Sequence, residues 1–142
     1  MTVGGDPYNL KRFEDAQAPV YARVCEELRN GAKTSHWMWF IFPQIRGLGT
    51  SPMARRFAIG SLDEARAYLT HVVLGERLRE CTELVNAVEG KTASEIFGFP
   101  DDLKFHSSMT LFAKAANNEQ RFQRAIDKYF ASEMDSGTLE RI

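Results

Sequence analysis

The sequence predicts an all-α protein, a single irregular domain of about seven to eight helices over residues 1–142. Three observations carry that expectation. Apolar residues recur at helical spacing along the chain, strand-like alternation is nearly absent, and caps with glycine or proline stops punctuate it at short intervals. Each apolar stripe needs a covering helix, so the helices are expected to pack on one another rather than form a heptad coiled coil.

Asp6-Pro7 suits the cap and start of a first helix carrying Leu10 and Phe13. Pro19 fits the first turn of a second, with Val20, Val24 and Leu28 on one face and Gly31 as its stop. Ser35 is positioned to cap a short aromatic helix that Pro43 must end, because the proline ring clashes with a continuing helix. Thr50-Ser51-Pro52 opens a helix running to about Ile59 and stopped by Gly60. Ser61 with Glu64 reads as a capping box before Ala65, Tyr68 and Leu69. Leu74, Leu78, Cys81, Val85 and Val88 give the clearest helical face, ending at Gly90. Thr92 with Glu95 repeats the box before Ile96 and Phe97, and Gly98 closes that element. Asp101 and Asp102 open the next helix, to which Met109 and Phe112 belong. Phe122, Ile126, Tyr129 and Phe130 mark the last long one, and the tail from Ser132 ends in a final turn.

A chain of 142 residues, 44% hydrophobic and 26% charged, has the composition of an ordinary globular domain. No apolar run approaches the roughly 20 residues of a membrane helix. The start, Met1-Thr-Val-Gly-Gly-Asp-Pro, has neither the basic nor the apolar region of a secretory signal, so a cytoplasmic protein is expected. Cys25 and Cys81 fall at apolar helical positions and read as small core residues. Together with His36, His71 and His106 they lack the spacing of a zinc site, and no metal or cofactor is implied.

Charge is distributed unevenly. From Leu28 to Leu62 there are five cations, Arg29, Lys33, Arg46, Arg55 and Arg56, and no Asp or Glu. The rest of the chain holds 13 of the 18 Lys and Arg against all 19 Asp and Glu. The same segment contains both tryptophans, Trp37 and Trp39, and the glycines Gly47 and Gly49. A helix beginning near Ser51 offers unpaired amides, the glycines allow close backbone approach, and the arginines can form bidentate bonds. Ser35, Trp37, Trp39, Arg46, Gly47, Gly49, Ser51, Arg55 and Arg56 are therefore the candidate ligand-binding residues, for an anion with a flat apolar part. His36 is the candidate general acid or base.

Other polar groups suit structural roles. Lys104, His106, Ser107, Ser108 and Thr110 cluster on a helix, where hydroxyls commonly bond backward to carbonyls, and no Gly-x-Ser-x-Gly elbow accompanies them. Asp6, Asn9, Lys11, Arg12 and Gln17 read as an ordinary amphipathic face. Phosphate loops and dinucleotide fingerprints are absent. A formal net charge of −1 argues against nucleic acid as a partner.

The segments Asp6-Pro-Tyr-Asn-Leu-Lys-Arg-Phe13, Ser35-His-Trp-Met-Trp-Phe-Ile-Phe-Pro-Gln44, Gly47-Leu-Gly49, Ser51-Pro-Met-Ala54 and Ser107-Ser-Met-Thr-Leu-Phe112 resemble a bacterial family of small helical proteins of unknown function. Some members bear the label "calpastatin". The resemblance spans almost the whole chain and implies a helical single-domain fold, with no activity attached. The label sits badly with the composition, since the calpain inhibitor is long, repetitive and disordered. A fainter similarity is to the family that processes ADP-ribose derivatives. That family opens its central helix with Ser-Glu, where this chain has Ser35-His36.

The expected function is binding of a small anionic, phosphorylated or nucleotide-like ligand at Ser35–Arg56. One alternative is a hydrolase or N-glycosidase acting on ADP-ribose-type derivatives. Another is a non-catalytic interaction module or homo-oligomer built on an exposed aromatic patch.

Overall fold

The computed structural model describes residues 5–142; the Met1–Gly4 part of the signal-peptide reading lies outside them. Ten helices follow one another among the described residues: α1 (Lys11–Gln17), α2 (Tyr21–Arg29), α3 (Met38–Ile41), α4 (Pro52–Arg56), α5 (Leu62–Thr70), α6 (Val72–Asn86), α7 (Ala93–Phe97), α8 (Asp101–Ala115), α9 (Arg121–Tyr129) and α10 (Ser136–Leu139). The class is all-α as expected, but the count exceeds seven to eight. α3, α4, α7 and α10 are four or five residues long, too short to show a periodic stripe.

Several ends form through the residues anticipated. The Asp6 carboxylate accepts from the Leu10 and Lys11 amides at 2.8 Å, so it caps α1 from a preceding turn. The Ser51 hydroxyl accepts from Ala54 N and starts α4, which stops at Arg56 rather than near Ile59. Thr92 and Glu95 make a full reciprocal capping box. Ser61 makes only its half: Glu64 Oε1 instead accepts from Gly60 N at 2.9 Å.

α8 is the central element, packing against α3, α5, α7, α9 and α10. Its buried run from Ser107 to Phe112 faces neighbours on every side, which explains why no single apolar stripe marks it. Ser107 and Thr110 satisfy their hydroxyls on the carbonyls one turn back, Leu103 O and His106 O. Aromatic rings link the elements into one core. Phe13 meets Tyr68 edge-on at 5.2 Å, Tyr68 meets Phe112 at 5.3 Å, and Phe42 meets Phe105 edge-on at 5.0 Å.

One non-helical link matters for the site. Ile45 and Ile59 form an isolated parallel bridge, with Arg46 N donating to Ile59 O at 2.8 Å and Ile59 N to Gln44 O at 2.9 Å. It holds the loop after α3 beside the loop before α5. No helix among the described residues is long and apolar enough to cross a membrane.

Candidate functional site

The bridge sets Arg46 beside α4, whose last turn carries Arg55 and Arg56. These three guanidinium groups line an open hollow of about 450 Å³ with Tyr8, Asn9, Arg12 and Glu64. On the other side of Arg46 and Arg55 lies a second hollow of about 340 Å³, walled by Gly47, Gly49, Thr50 and Ala58. The two hollows share Arg46, Arg55 and Ala58, so together they form one groove with a cationic middle.

Its floor is held by Arg12, whose donors are fully occupied. Nε reaches Arg56 O and Nη2 reaches Ala58 O, both at 2.8 Å, while Nη1 reaches Tyr8 O and Asn9 O. Nη2 also pairs with Glu64 Oε2 at 3.2 Å. Glu64, the acid on the groove wall, is thus committed to Arg12 and the Gly60 amide. Among the described residues Arg46, Arg55 and Arg56 have no ion-pair partner, and all three are exposed. The groove therefore combines one neutralised pair with three free positive charges.

The glycines are placed by sterics. Gly47 has φ +101°, and a Cβ there would meet Arg141 Nε at 2.9 Å; a Cβ on Gly49 would stand 2.6 Å from Ala54 Cβ. The helix-terminus device is weaker than the sequence suggests, since α4 has five residues and the arginines sit at its C-terminal end. Ser51, exposed, spends its hydroxyl on the cap.

The remaining candidates lie elsewhere. Ser35, His36 and Trp37 line neither hollow. Trp37 is 1% exposed and belongs to the core, so its ring is closed to a ligand. Trp39 is half-buried, with Lys104 Nζ 5.2 Å from its ring centre; the gap it shares with Gly47 and Gly49 is only about 10 Å³. His36 is exposed and makes no side-chain hydrogen bond among the described residues, so nothing orients it as a base.

What organises Ser35 and Trp37 is Glu27, a residue the sequence reading passed over. This buried carboxylate accepts from Thr34 N (2.7 Å), Ser35 N (3.1 Å), Ser35 Oγ (2.5 Å) and Trp37 Nε1 (3.0 Å). Burial pushes its carboxyl upward, but the Ser35 hydroxyl, the Thr34 and Ser35 amides and the indole outweigh that and hold it at about 2. The signal was an acid between Val24 and Leu28 on the buried face of α2. Lys33, another cation of the acid-free segment, is matched across the fold by Asp101 at 2.8 Å.

The polar cluster of α8 fastens the tail. Asp135 Oδ2 accepts from Thr138 N and Oγ1 at 3.0 and 2.7 Å, and it lies 3.1 Å from Ser107 Oγ, whose single proton it shares with Leu103 O. His106 stacks on Phe130 with centroids 4.0 Å apart, and its Nε2 lies 2.6 Å from Glu133 O. A carbonyl only accepts, so that nitrogen carries the proton. Among the described residues no group of three or more His, Cys, Asp or Glu is placed to hold a metal ion.

Residues 7–142 match the family described as "Protein of unknown function (DUF1810)". The chain belongs to this DUF1810 family. Its fold is similar to the crystal structure of the conserved hypothetical protein Rv1873 from Mycobacterium tuberculosis, with 58% sequence identity and a TM-score of 0.94. That match covers 95% of this chain and 96% of the other. No curated protein matches it. Nothing in these similarities supports the calpastatin label.

Proposed function

We propose that this DUF1810 protein binds a small phosphorylated ligand in the groove centred on Arg46 and Arg55. The observation that carries the reading is the convergence of Arg46, Arg55 and Arg56 on one concave surface whose acid, Glu64, is already paired with Arg12. Guanidinium groups grip phosphate oxygens through paired hydrogen bonds, and a hollow on each side leaves space for the rest of the molecule. The Gly47–Thr50 side, poor in charge, suits a flat apolar moiety; the side lined by Tyr8, Asn9 and Glu64 suits a hydroxyl-bearing one. A nucleotide-like ligand has both parts.

Isothermal titration with pyrophosphate, AMP, ADP and ADP-ribose tests this. Arg46→Ala and Arg55→Ala are each expected to weaken binding by about tenfold or more, the loss of one charge-assisted contact. His36→Ala, outside the groove, should leave the affinity unchanged. Absence of binding by all four compounds, or binding indifferent to the double arginine variant, removes the proposal.

A further inference from the structure

The hollow on the Tyr8 side of the groove holds polar groups that gripping a phosphate leaves unused. The neutral polar side chains of its lining are Tyr8 and Asn9, which stand just before α1. Both are exposed, and neither the Tyr8 hydroxyl nor the Asn9 carboxamide hydrogen-bonds a described residue. Their backbone, by contrast, is fixed. Asn9 N donates to Asp6 O at 3.0 Å, and the Tyr8 and Asn9 carbonyls accept from Arg12 Nη1 at 2.6 and 2.8 Å. The same guanidinium reaches Arg56 O through Nε, so one side chain spaces these two residues from the arginine-bearing turn of α4.

Asn9 has φ +51°, in the left-handed region. Asparagine is tolerated there and glycine suits it at least as well. The turn thus accounts for the conformation but not for the unspent carboxamide. Glu64, buried on the same wall, is the third polar group. Its Oε2 accepts from Arg12 Nη2 and its Oε1 from Gly60 N, which leaves a lone pair on each oxygen. That carboxylate repels a phosphate, whereas a hydroxyl can donate to it.

We infer that Tyr8, Asn9 and Glu64 select a ligand whose phosphate is carried on a sugar with vicinal hydroxyls, a ribosyl phosphate; the inference rests on the phosphate-binding reading of this groove. The roles divide by chemistry. Arg46, Arg55 and Arg56 hold the phosphate, and Glu64 accepts from one hydroxyl. The Asn9 carboxamide, both donor and acceptor, meets the other, while the Tyr8 ring covers the C–H face of the sugar. A deoxy analogue leaves one of these groups unpaired, and a site built around a hydroxyl rejects the compound that lacks it.

Isothermal titration of the full chain with ribose 5-phosphate, deoxyribose 5-phosphate, AMP and dAMP tests this. Each ribose compound is expected to bind at least about tenfold more tightly than its deoxy counterpart. A preference within the free-sugar pair alone marks a sugar phosphate as the ligand, and one within the nucleotide pair alone marks a nucleotide; both support the proposal. Asn9→Gly, which keeps the left-handed turn, should fold as the wild type does by circular dichroism and bring the preferred pair within about twofold of each other. Equal affinities within both pairs overturn the inference, as does a folded Asn9→Gly chain that still discriminates. If pyrophosphate then binds the wild type but not the double Arg46→Ala, Arg55→Ala variant, the phosphate groove stands and only its selection for a sugar falls. Absence of binding by every phosphate compound removes both.

Discussion

At the residue scale the most consequential side chain is Glu27, a single carboxylate taking four donors from the 34–37 loop. Its folded carboxyl titrates at about 2, against 4.5 for the free group. A depressed acid stabilises the fold fully above the unfolded value, and that contribution is lost as pH falls through the folded one. Linkage gives it a size on the order of 3 kcal/mol at neutral pH. Urea unfolding of the wild type should therefore weaken from near pH 4.5 toward pH 2, a window defined by those two values. Glu27→Gln should lower stability by about 2 kcal/mol at pH 7 and flatten that acid limb. An unchanged midpoint in the variant would show that the loop holds without the charge. Arg12 is a comparable case: it looks like one more cation on an amphipathic face, yet its guanidinium ties α1 to the backbone of residues 56 and 58 and to Glu64.

At the scale of elements, the joint between α5 and α6 is the tightest. His71 ends one helix and caps the next, its Nδ1 accepting from Val73 N and Leu74 N at 3.2 and 3.1 Å. Gly75, one turn on, faces the end of α5 so closely that a Cβ would stand 2.2 Å from Leu69 O. Gly75→Ala should consequently cost about 3 kcal/mol or more, because backbone rather than a flexible side chain must move. Thermal unfolding measures it, and a loss under about 1 kcal/mol would mean that the two helices can part cheaply. Helix ends were legible in sequence where the partner lies within four residues, as at Ser51, Thr92 and Glu95. Ser61 shows the limit: Glu64 had the expected spacing, but Arg12 and the Gly60 amide claimed its carboxylate.

Over the whole molecule the aromatic rings run through α1, α5, α8 and α9 without a break, from Phe13 through Tyr68 and Phe112 to Phe122. Tryptophan fluorescence and far-ultraviolet circular dichroism should therefore report one shared urea midpoint, since none of these four helices can leave without exposing part of that core. Two separated transitions would divide the chain into more than one unit. The charge pattern is also a property of this scale. Of the five cations between Leu28 and Leu62, Lys33 is paired with Asp101. Arg46, Arg55 and Arg56 meet at the groove, and Arg29, exposed on the last turn of α2, lies outside its lining.

The sequence by itself determined the all-helical class, most helix starts and stops, and the neighbourhood of Arg46, Arg55 and Arg56, because caps, apolar faces and closely spaced charges act over a few residues. Tertiary structure decided which of the candidates share a surface. It sent Trp37 into the core and tied Ser35 to Glu27, and it joined Arg46 to α4 through the Ile45–Ile59 bridge. It also brought Cys25 to Glu80 and Cys81 to Tyr21. The physical reason is that contacts between residues tens of positions apart depend on which helix faces pack together, and apolar stripes say that a face is covered without saying by what.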